Sequence, residues 1–472
     1  MYILIYKKNN NTMENFNNFS DLIHKEITIN HNVINIYTIE TITNSTKIND
    51  FILRKINYLK KENDLYEYLF NNLPCISVKK INKKDISNYL VNGFTIIEIN
   101  NKYLAIETID APNRSITSSE YEKSITGPKD SFNEHFNTNV GLIRKRIKDT
   151  NLKLENINIG KYTNTKVGIM YINSICKNDL KEKIVNKLKE INIDGIIDSS
   201  YLISYLSKSH NLFPTIKRSE RPDLVSQSLL EGKIAIIIDN SPDVLILPTF
   251  FIDFFHMSDD YYQKSFNTTF IRLIRLFAFI ISIILPSYYV AITTWNVNFI
   301  PINLLVNLIG QRTSVPFPAF LEAFIMIISF EILRESDLRI PSTQGTAISI
   351  LGGLVLGDAA VNAGIISPIM IIVVAISAIS GMVFQSMEVV NAIRFWRFVL
   401  IILASIFGLY GIFIGIILII SNITDTKSID EDYLYPFAPI NLLLQKDGFI
   451  KIKEKIKKRN PVISDNSTRG YQ

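Results

Sequence analysis

No lysine occurs between Lys264 and Lys427, although lysine is among the commonest residues on either side of that gap. The gap holds a succession of apolar segments, several of them close to the ~20 residues that a helix needs to cross a hydrocarbon core. A lysine at mid-bilayer costs about 2.5–3.5 kcal/mol or more, whereas water tolerates it anywhere. The two parts of the chain are therefore built for different solvents. A polar, Lys/Asn/Ile-rich stretch runs to about residue 265, and an apolar one follows. The expected fold class is an α/β cytoplasmic N-terminal region in two subdomains, followed by a polytopic α-helical transmembrane domain.

Composition then narrows the function classes. The net charge of +6 averages two dissimilar halves and makes no case for nucleic acid. Cys75 and Cys176 lie about a hundred residues apart, and His24, His31, His135, His210 and His256 are scattered. That spacing argues against a metal centre, a cofactor or a disulfide framework. No nucleophile–base–acid set stands out in the polar half, so the chain reads as a non-enzyme. Met1-Tyr-Ile-Leu-Ile-Tyr-Lys-Lys8 is too short in its apolar part, and wrongly ordered in charge, for a signal peptide. The polar half is accordingly expected to stay in the cytoplasm.

Local signals divide the chain into five parts. Residues 1–74 read as a variable segment, partly disordered or helical, with an Asn-rich run at 9–20. Residues 75–155 read as an α/β subdomain. Strands are expected at Ile76–Val78, Gly93–Ile99 and Lys102–Thr108, the last two joined by an Asn100-Asn101 turn, with a helix over Ser131–Lys148. Residues 156–265 read as a second α/β subdomain. Here a strand at Thr165–Ile172 is followed by helices at Lys177–Lys189 and Ser199–Ser207, with a turn and short strand at Asp194–Asp198. Pro222 and Asp223 open another helix, and Ile234–Asp239, Asn240-Ser-Pro242 and Val244–Pro248 form a hairpin. Thr249–Phe266 reads as an aromatic, amphipathic helix at a membrane surface. Residues 266–425 form the transmembrane domain, and 426–472 a basic tail.

The apolar region offers five long segments, roughly 273–294, 315–333, 345–366, 368–386 and 398–420, and a shorter one at 299–310. Arg272 and Arg275, Arg334 and Arg339, and Arg394 and Arg397 flank them, which places these ends in the cytoplasm. Five spans would put the C-terminus outside, whereas the basic Lys451–Arg459 stretch belongs inside; the count of four to six spans stays open. Glu322, Glu331 and Asp358 lie inside the segments and are candidates for a pore or for interhelical hydrogen bonding, with Glu331 and Arg334 spaced as an i, i+3 pair. Gly352, Gly353 and Gly357 are candidates for close helix packing. Tyr288, Tyr289, Trp295 and Trp396 sit at segment ends, as interface anchors do. Glu220, Arg221, Pro222 and Asp223, together with Arg272 and Arg275, are candidates for coupling the polar half to the first span.

Several runs resemble one family. Arg218-Ser-Glu-Arg-Pro-Asp223, Leu229-Leu-Glu-Gly-Lys-Ile-Ala235 and Asn240-Ser-Pro242 are similar to a run in the A subunits of GerA-type spore germinant receptors. Gly127-Pro-Lys-Asp-Ser-Phe132, Asn139–Ile147, Ile193–Ser199, Phe270–Arg275, Val315–Ala323, Phe330–Ser336 and Tyr435-Pro-Phe-Ala-Pro439 resemble it as well, in order from about residue 75 to 440. Asn240 stands where the family usually has Gly, a change that a left-handed turn accepts. A paralogue encoded with the SpoVA dipicolinate channel shares these motifs. The resemblance implies a germinant receptor subunit in the spore inner membrane, a homo-oligomer that conducts monovalent cations. It also implies a transporter-like B subunit and a lipoprotein C subunit as partners. A non-conducting scaffold and a secondary transporter with a regulatory domain are the alternatives.

Overall fold

The structure is a computed structural model that describes residues 19–464 apart from 30–31, 55, 57–64, 74–76, 110–121, 123–125, 208–210, 340–356, 441–447 and 452–458. The first sheet has five antiparallel strands in the order β1-β2-β4-β5-β3. They are β1 (Leu22–Ile29), β2 (Asn32–Ile39), β3 (Val78–Ile81), β4 (Phe94–Ile99) and β5 (Lys102–Glu107). Helices α1 (Leu65–Asn72) and α2 (Ile86–Val91) pack on it. Asn100 and Asn101 both have positive φ, 47° and 62°, as a two-residue hairpin turn requires. The hairpin of β1 and β2 lies where the sequence reading has only a variable, disordered or helical segment. Ile34 and Ile36 alternate with Asn35 and Tyr37 there, and the surrounding Asn and Lys hide a period of two.

The second sheet has the order β6-β7-β9-β10-β8. It consists of β6 (Leu152–Ile159), β7 (Thr165–Ile172), β8 (Lys217–Ser219), β9 (Ile234–Ile238) and β10 (Val244–Leu247). Every residue of β9 is buried, because both faces are covered. Ile234, Ile236 and Ile238 face α4 (Asn178–Lys189) and α5 (Ser199–Leu206). Ala235 and Ile237 face α3 (Phe136–Arg146) and α6 (Pro222–Glu231). The helix expected with the first subdomain, α3, thus belongs to the second sheet. There Phe136 lies so close to Gly168 that a Cβ on that glycine would strike the ring. No strand forms at 194–198; Asp198 instead caps α5 through the Ser200 N–H.

The segment expected as a surface helix at 249–266 is a buried junction. Phe251–Phe255 form a 3-10 turn and α7 spans Asp259–Tyr262, before α8 begins at Ser265. Phe251 and Phe255 stack edge-on against Phe279 of α8, and Phe255 against Phe384 and Phe449. Phe255, Phe279 and Phe384 are buried and Phe251 and Phe449 partly so, because one hydrophobic core runs from the second sheet into the helices.

The helical region comprises α8 (Ser265–Thr294), α9 (Ile302–Arg312), α10 (Ala319–Arg339), α11 (Pro368–Gly381), α12 (Met387–Phe407) and α13 (Leu409–Asp425). Helices α8 and α12 are long and apolar enough to cross a membrane, and α11 and α13 are shorter apolar helices. Large side chains on α8 point outward, with Phe266 83% and Phe277 62% exposed, which is not the pattern of a helix buried in a soluble core. α8 and α12 end together, where Trp295 donates to the Ser405 carbonyl at 2.8 Å. α13 returns from there. Its continuation, β11 (Lys427–Ser428) and β12 (Glu431–Asp432), lies on the α/β side, where Phe251 N–H donates to the Tyr433 carbonyl at 2.9 Å. The helical region therefore begins and ends on the same side.

Candidate functional site

The junction between the second sheet and α8 is organised by Asp260, which is 2% exposed. Its carboxylate accepts from Arg272 Nε at 3.1 Å and from Arg275 Nη1 at 2.8 Å, so both flanking arginines of α8 converge on it. The remaining donors of the arginines are aimed at backbone. Arg275 Nη1 donates to the Phe255 carbonyl at 2.8 Å, and Arg272 Nη1 to that of Gly448 at 3.0 Å. Lys451 Nζ donates to the Asp260 carbonyl at 2.5 Å and to that of Gln263 at 2.9 Å, a cation at the C-terminal end of α7. Two buried guanidiniums on one carboxylate are tolerable only because these carbonyls share the charge.

The Glu220–Asp223 segment stands beside this node. Arg221, at the N-cap of α6, holds Asp223 in a fork with Nε–Oδ1 3.0 Å and Nη2–Oδ2 2.7 Å. Tyr262 of α7 donates its hydroxyl to Asp223 at 2.7 Å, which links the α6 entry to the segment that leads into α8. Burial pushes the Asp223 carboxyl up, but the Arg221 and Tyr262 hydrogen bonds outweigh it and hold the group below the usual range. Arg218 reaches Glu388 at the start of α12 at 3.1 Å. It borders a cavity of about 560 Å³ lined also by Lys217, Asp243, His256 and Met387. Lys217 Nζ donates to the carbonyls of Asp253 and His256. The expected coupling residues are thus brought together, except that the Glu220 side chain lines the cavity. Asp260, Tyr262, Arg218 and Glu388 are additions. Asp260 carries no spacing signal toward Arg272 and Arg275, because the chain turns between them at Gln263-Lys264.

Inside the helical region Glu322 is fully buried. Its Oε2 accepts from Ser367 N at 2.9 Å and Ser367 Oγ at 2.8 Å, at the N-cap of α11, and its Oε1 faces Arg312 of α9 at 3.4 Å. Glu331 does not pair with Arg334, one turn along its own helix. Arg394 Nε lies 2.8 Å and Arg397 Nη1 3.8 Å from it, because α10 turns that carboxylate toward α12. Arg397 also meets a consequence of Pro286, which has no N–H for the Ser282 carbonyl one turn back in α8. That carbonyl instead accepts from Arg397 Nε and from Ser377 Oγ, both at 2.8 Å. Asp358 is exposed on this chain, with Asn362 Nδ2 3.1 Å away.

Gly352 and Gly353 lie outside the described residues. A Cβ on Gly357 would meet nothing within 4 Å, so no close packing occurs there among the described residues. Close approach occurs at Gly411 and Gly415 of α13 instead, where a Cβ would collide with the Leu403 carbonyl and the Leu400 side chain of α12. Their Gly-x-x-x-Gly spacing was the available signal. Tyr289 and Trp396 are buried rather than at an interface, whereas Tyr288 and Trp295 are exposed. Among the described residues no group of three or more His, Cys, Asp and Glu side chains is placed to hold a metal ion.

A family model described as Bacillus/Clostridium GerA spore germination protein matches residues 10–463. The chain belongs to the GerA family. Spore germination protein KA of Bacillus subtilis (strain 168) is 34% identical over 443 residues, covering 92% of this chain and 81% of that protein. Spore germination protein GerQA of Bacillus cereus is 34% identical over 456 residues, covering 95% and 91%. The uncharacterized membrane protein YfkQ of Bacillus subtilis (strain 168) is 32% identical over 439 residues, covering 92% and 86%. The crystal structure of the N-terminal domain of the A subunit of the Bacillus megaterium spore germinant receptor GerK3 aligns with 51% of this chain and 92% of its own, at 28% identity and a TM-score of 0.37. Membership supports a role in spore germination for this GerA protein. The Asp260 and Arg221–Asp223 contacts fall within the matched residues, as do Glu322, Glu331 and Asp358.

Proposed function

We propose that this GerA protein is a membrane subunit of a spore germinant receptor, and that its helical region assembles with further copies into a path for monovalent cations. The observation that carries the reading is the Asp260 node. A displacement of the α/β domain cannot leave α8 behind while both Arg272 and Arg275 are held by Asp260. The α/β domain then acts as a lever on the first long apolar helix. Because the helical region begins and ends on one side, an even number of crossings follows if it spans a bilayer. The arginines Arg272, Arg275, Arg334, Arg394 and Arg397 gather toward the α/β side, which favours a cytoplasmic, spore-core location for that domain in the inner membrane. The transporter-like B and lipoprotein C subunits are the partners this reading requires.

Within one chain, Glu322 and Glu331 are bound to arginines, which favours structural pins over pore-lining groups for both. Of the three candidate acids Asp358 is the one left exposed, and its carboxylate is expected to face the path between copies. The test is cation efflux from liposomes that contain the purified protein, with and without the partner subunits. Asp358→Asn is expected to change the flux at unaltered assembly, and Glu322→Gln to weaken the fold more than the flux. Efflux that never rises above that of empty liposomes, even with partners present, would favour the scaffold reading that the paired acids also permit.

A further inference from the structure

At the end nearest the α/β domain, the arginines that face each other between α10 and α12 share a single close carboxylate among the described residues. Glu331 is shared by Arg394 Nε at 2.8 Å and Arg397 Nη1 at 3.8 Å, and Arg397 otherwise serves the carbonyls of Ser282 and Ser377. Arg334 lies in electrostatic reach of Arg394 and Glu331. Among the described residues its polar contact is the Met387 thioether sulfur, at 3.6 Å. A thioether is a weak acceptor, and a half-buried guanidinium is normally matched by a carboxylate, a carbonyl or a phosphate. Among the described residues these three guanidiniums thus have one carboxylate, Glu331, within 4 Å, with the Asn391 Oδ1 3.1 Å from Arg394 Nη1 as a further neutral acceptor. The surroundings narrow the missing anion. Arg334 follows directly on the apolar Ala319–Leu333 run, and Ile332, Met387 and Phe395 are exposed beside the cluster. An anion at this place must satisfy guanidiniums on one side and lie against apolar side chains on the other.

We infer that Arg334 and Arg394 form a site for the phosphate headgroup of an acidic phospholipid, in the leaflet on the α/β side, with its acyl chains along Ile332 and Phe395. A phosphate offers the paired oxygens that two guanidinium forks accept, and it lies at the depth where an apolar helix meets the headgroups. The inference rests on the reading of the helical region as membrane-embedded, and the test separates the two. Full-length protein is reconstituted into vesicles of equal phosphatidylglycerol and phosphatidylcholine, floated, extracted in mild detergent, and its retained lipids counted by native mass spectrometry. On the order of fivefold enrichment of phosphatidylglycerol is expected. It should fall toward parity in Arg334→Gln and Arg394→Gln, with part of it kept in Arg334→Lys. A chain that fails to float overturns the membrane reading and this site with it. A chain that floats but retains both lipids equally, or whose preference survives both Gln substitutions, overturns the site alone. Thermal stabilisation by glycerol 3-phosphate in detergent equal to that by the lipid would overturn the lipid assignment in favour of a soluble phosphate.

Discussion

Asp260 shows how much one side chain can hold. Removing it takes away the carboxylate on which the buried Arg272 and Arg275 converge, and breaking a buried pair in this way costs about 3–5 kcal/mol. Asp260→Ala is expected to lower the unfolding free energy of the full-length protein by about that amount in urea titrations, and a loss below ~1 kcal/mol would remove Asp260 from its central place. Asp243, on the same junction, behaves in the opposite sense to a paired acid. Burial raises its pKa to about 6; Arg218 opposes this, and Glu220, Asp198 and Glu388 add to it. Its folded pKa thus exceeds the ~3.9 of an unfolded aspartate, so the folded state holds the extra proton between these values. Stability from this group is present below about pH 4 and is lost as pH rises through about 6. Asp243→Asn should therefore gain thermal stability relative to the native protein between pH 4 and 7, read as a melting-temperature difference that widens with pH. These residue-scale facts were half legible. The Arg221–Asp223 fork is two residues apart in the chain, but Asp260 meets its arginines only after a turn.

Elements are decided by what their backbones leave unmet. Pro286 orphans the Ser282 carbonyl, and Arg397 and Ser377 answer it from α12 and α11, so a break in one helix specifies contacts with two others. Gly411 and Gly415 let α13 lie directly on α12. Gly415→Val is expected to destabilise the protein by about 1–3 kcal/mol through overpacking against Leu400, measured as a fall in melting temperature in detergent. Gly357→Val, by contrast, meets nothing among the described residues. Any loss from it that depends on protein concentration would locate a contact with another copy, and no change at any concentration would withdraw Gly357 from assembly.

At the scale of the whole molecule, the α/β domain and the helices share one core. The C-terminal segment closes that core from the far end of the chain. Phe449 stacks on Phe255, Lys451 and Gly448 bind the junction, and Ile463 packs under α6 beside Gly232. A chain ended after residue 447 loses these contacts together. Limited proteolysis of that truncation is expected to cut within 256–264, where the full-length protein resists, and an unchanged digestion pattern would show that the segment is dispensable.

The sequence alone settled the change of composition at residue 265, the β9–β10 hairpin and the family motifs, because lysine avoidance, unbroken apolar runs rich in β-branched residues and turn chemistry are local properties of neighbouring residues. It set Arg221 two residues from Asp223 for the same reason. The partners of Glu331, the role of Asp260, the burial of Phe250, Phe254 and Phe255 and the shared side of both ends of the helical region came from the tertiary structure. Each of these depends on which surfaces meet after the chain has turned. A carboxylate takes its partner from whatever guanidinium packing brings within 3 Å, and no spacing along the chain encodes that distance.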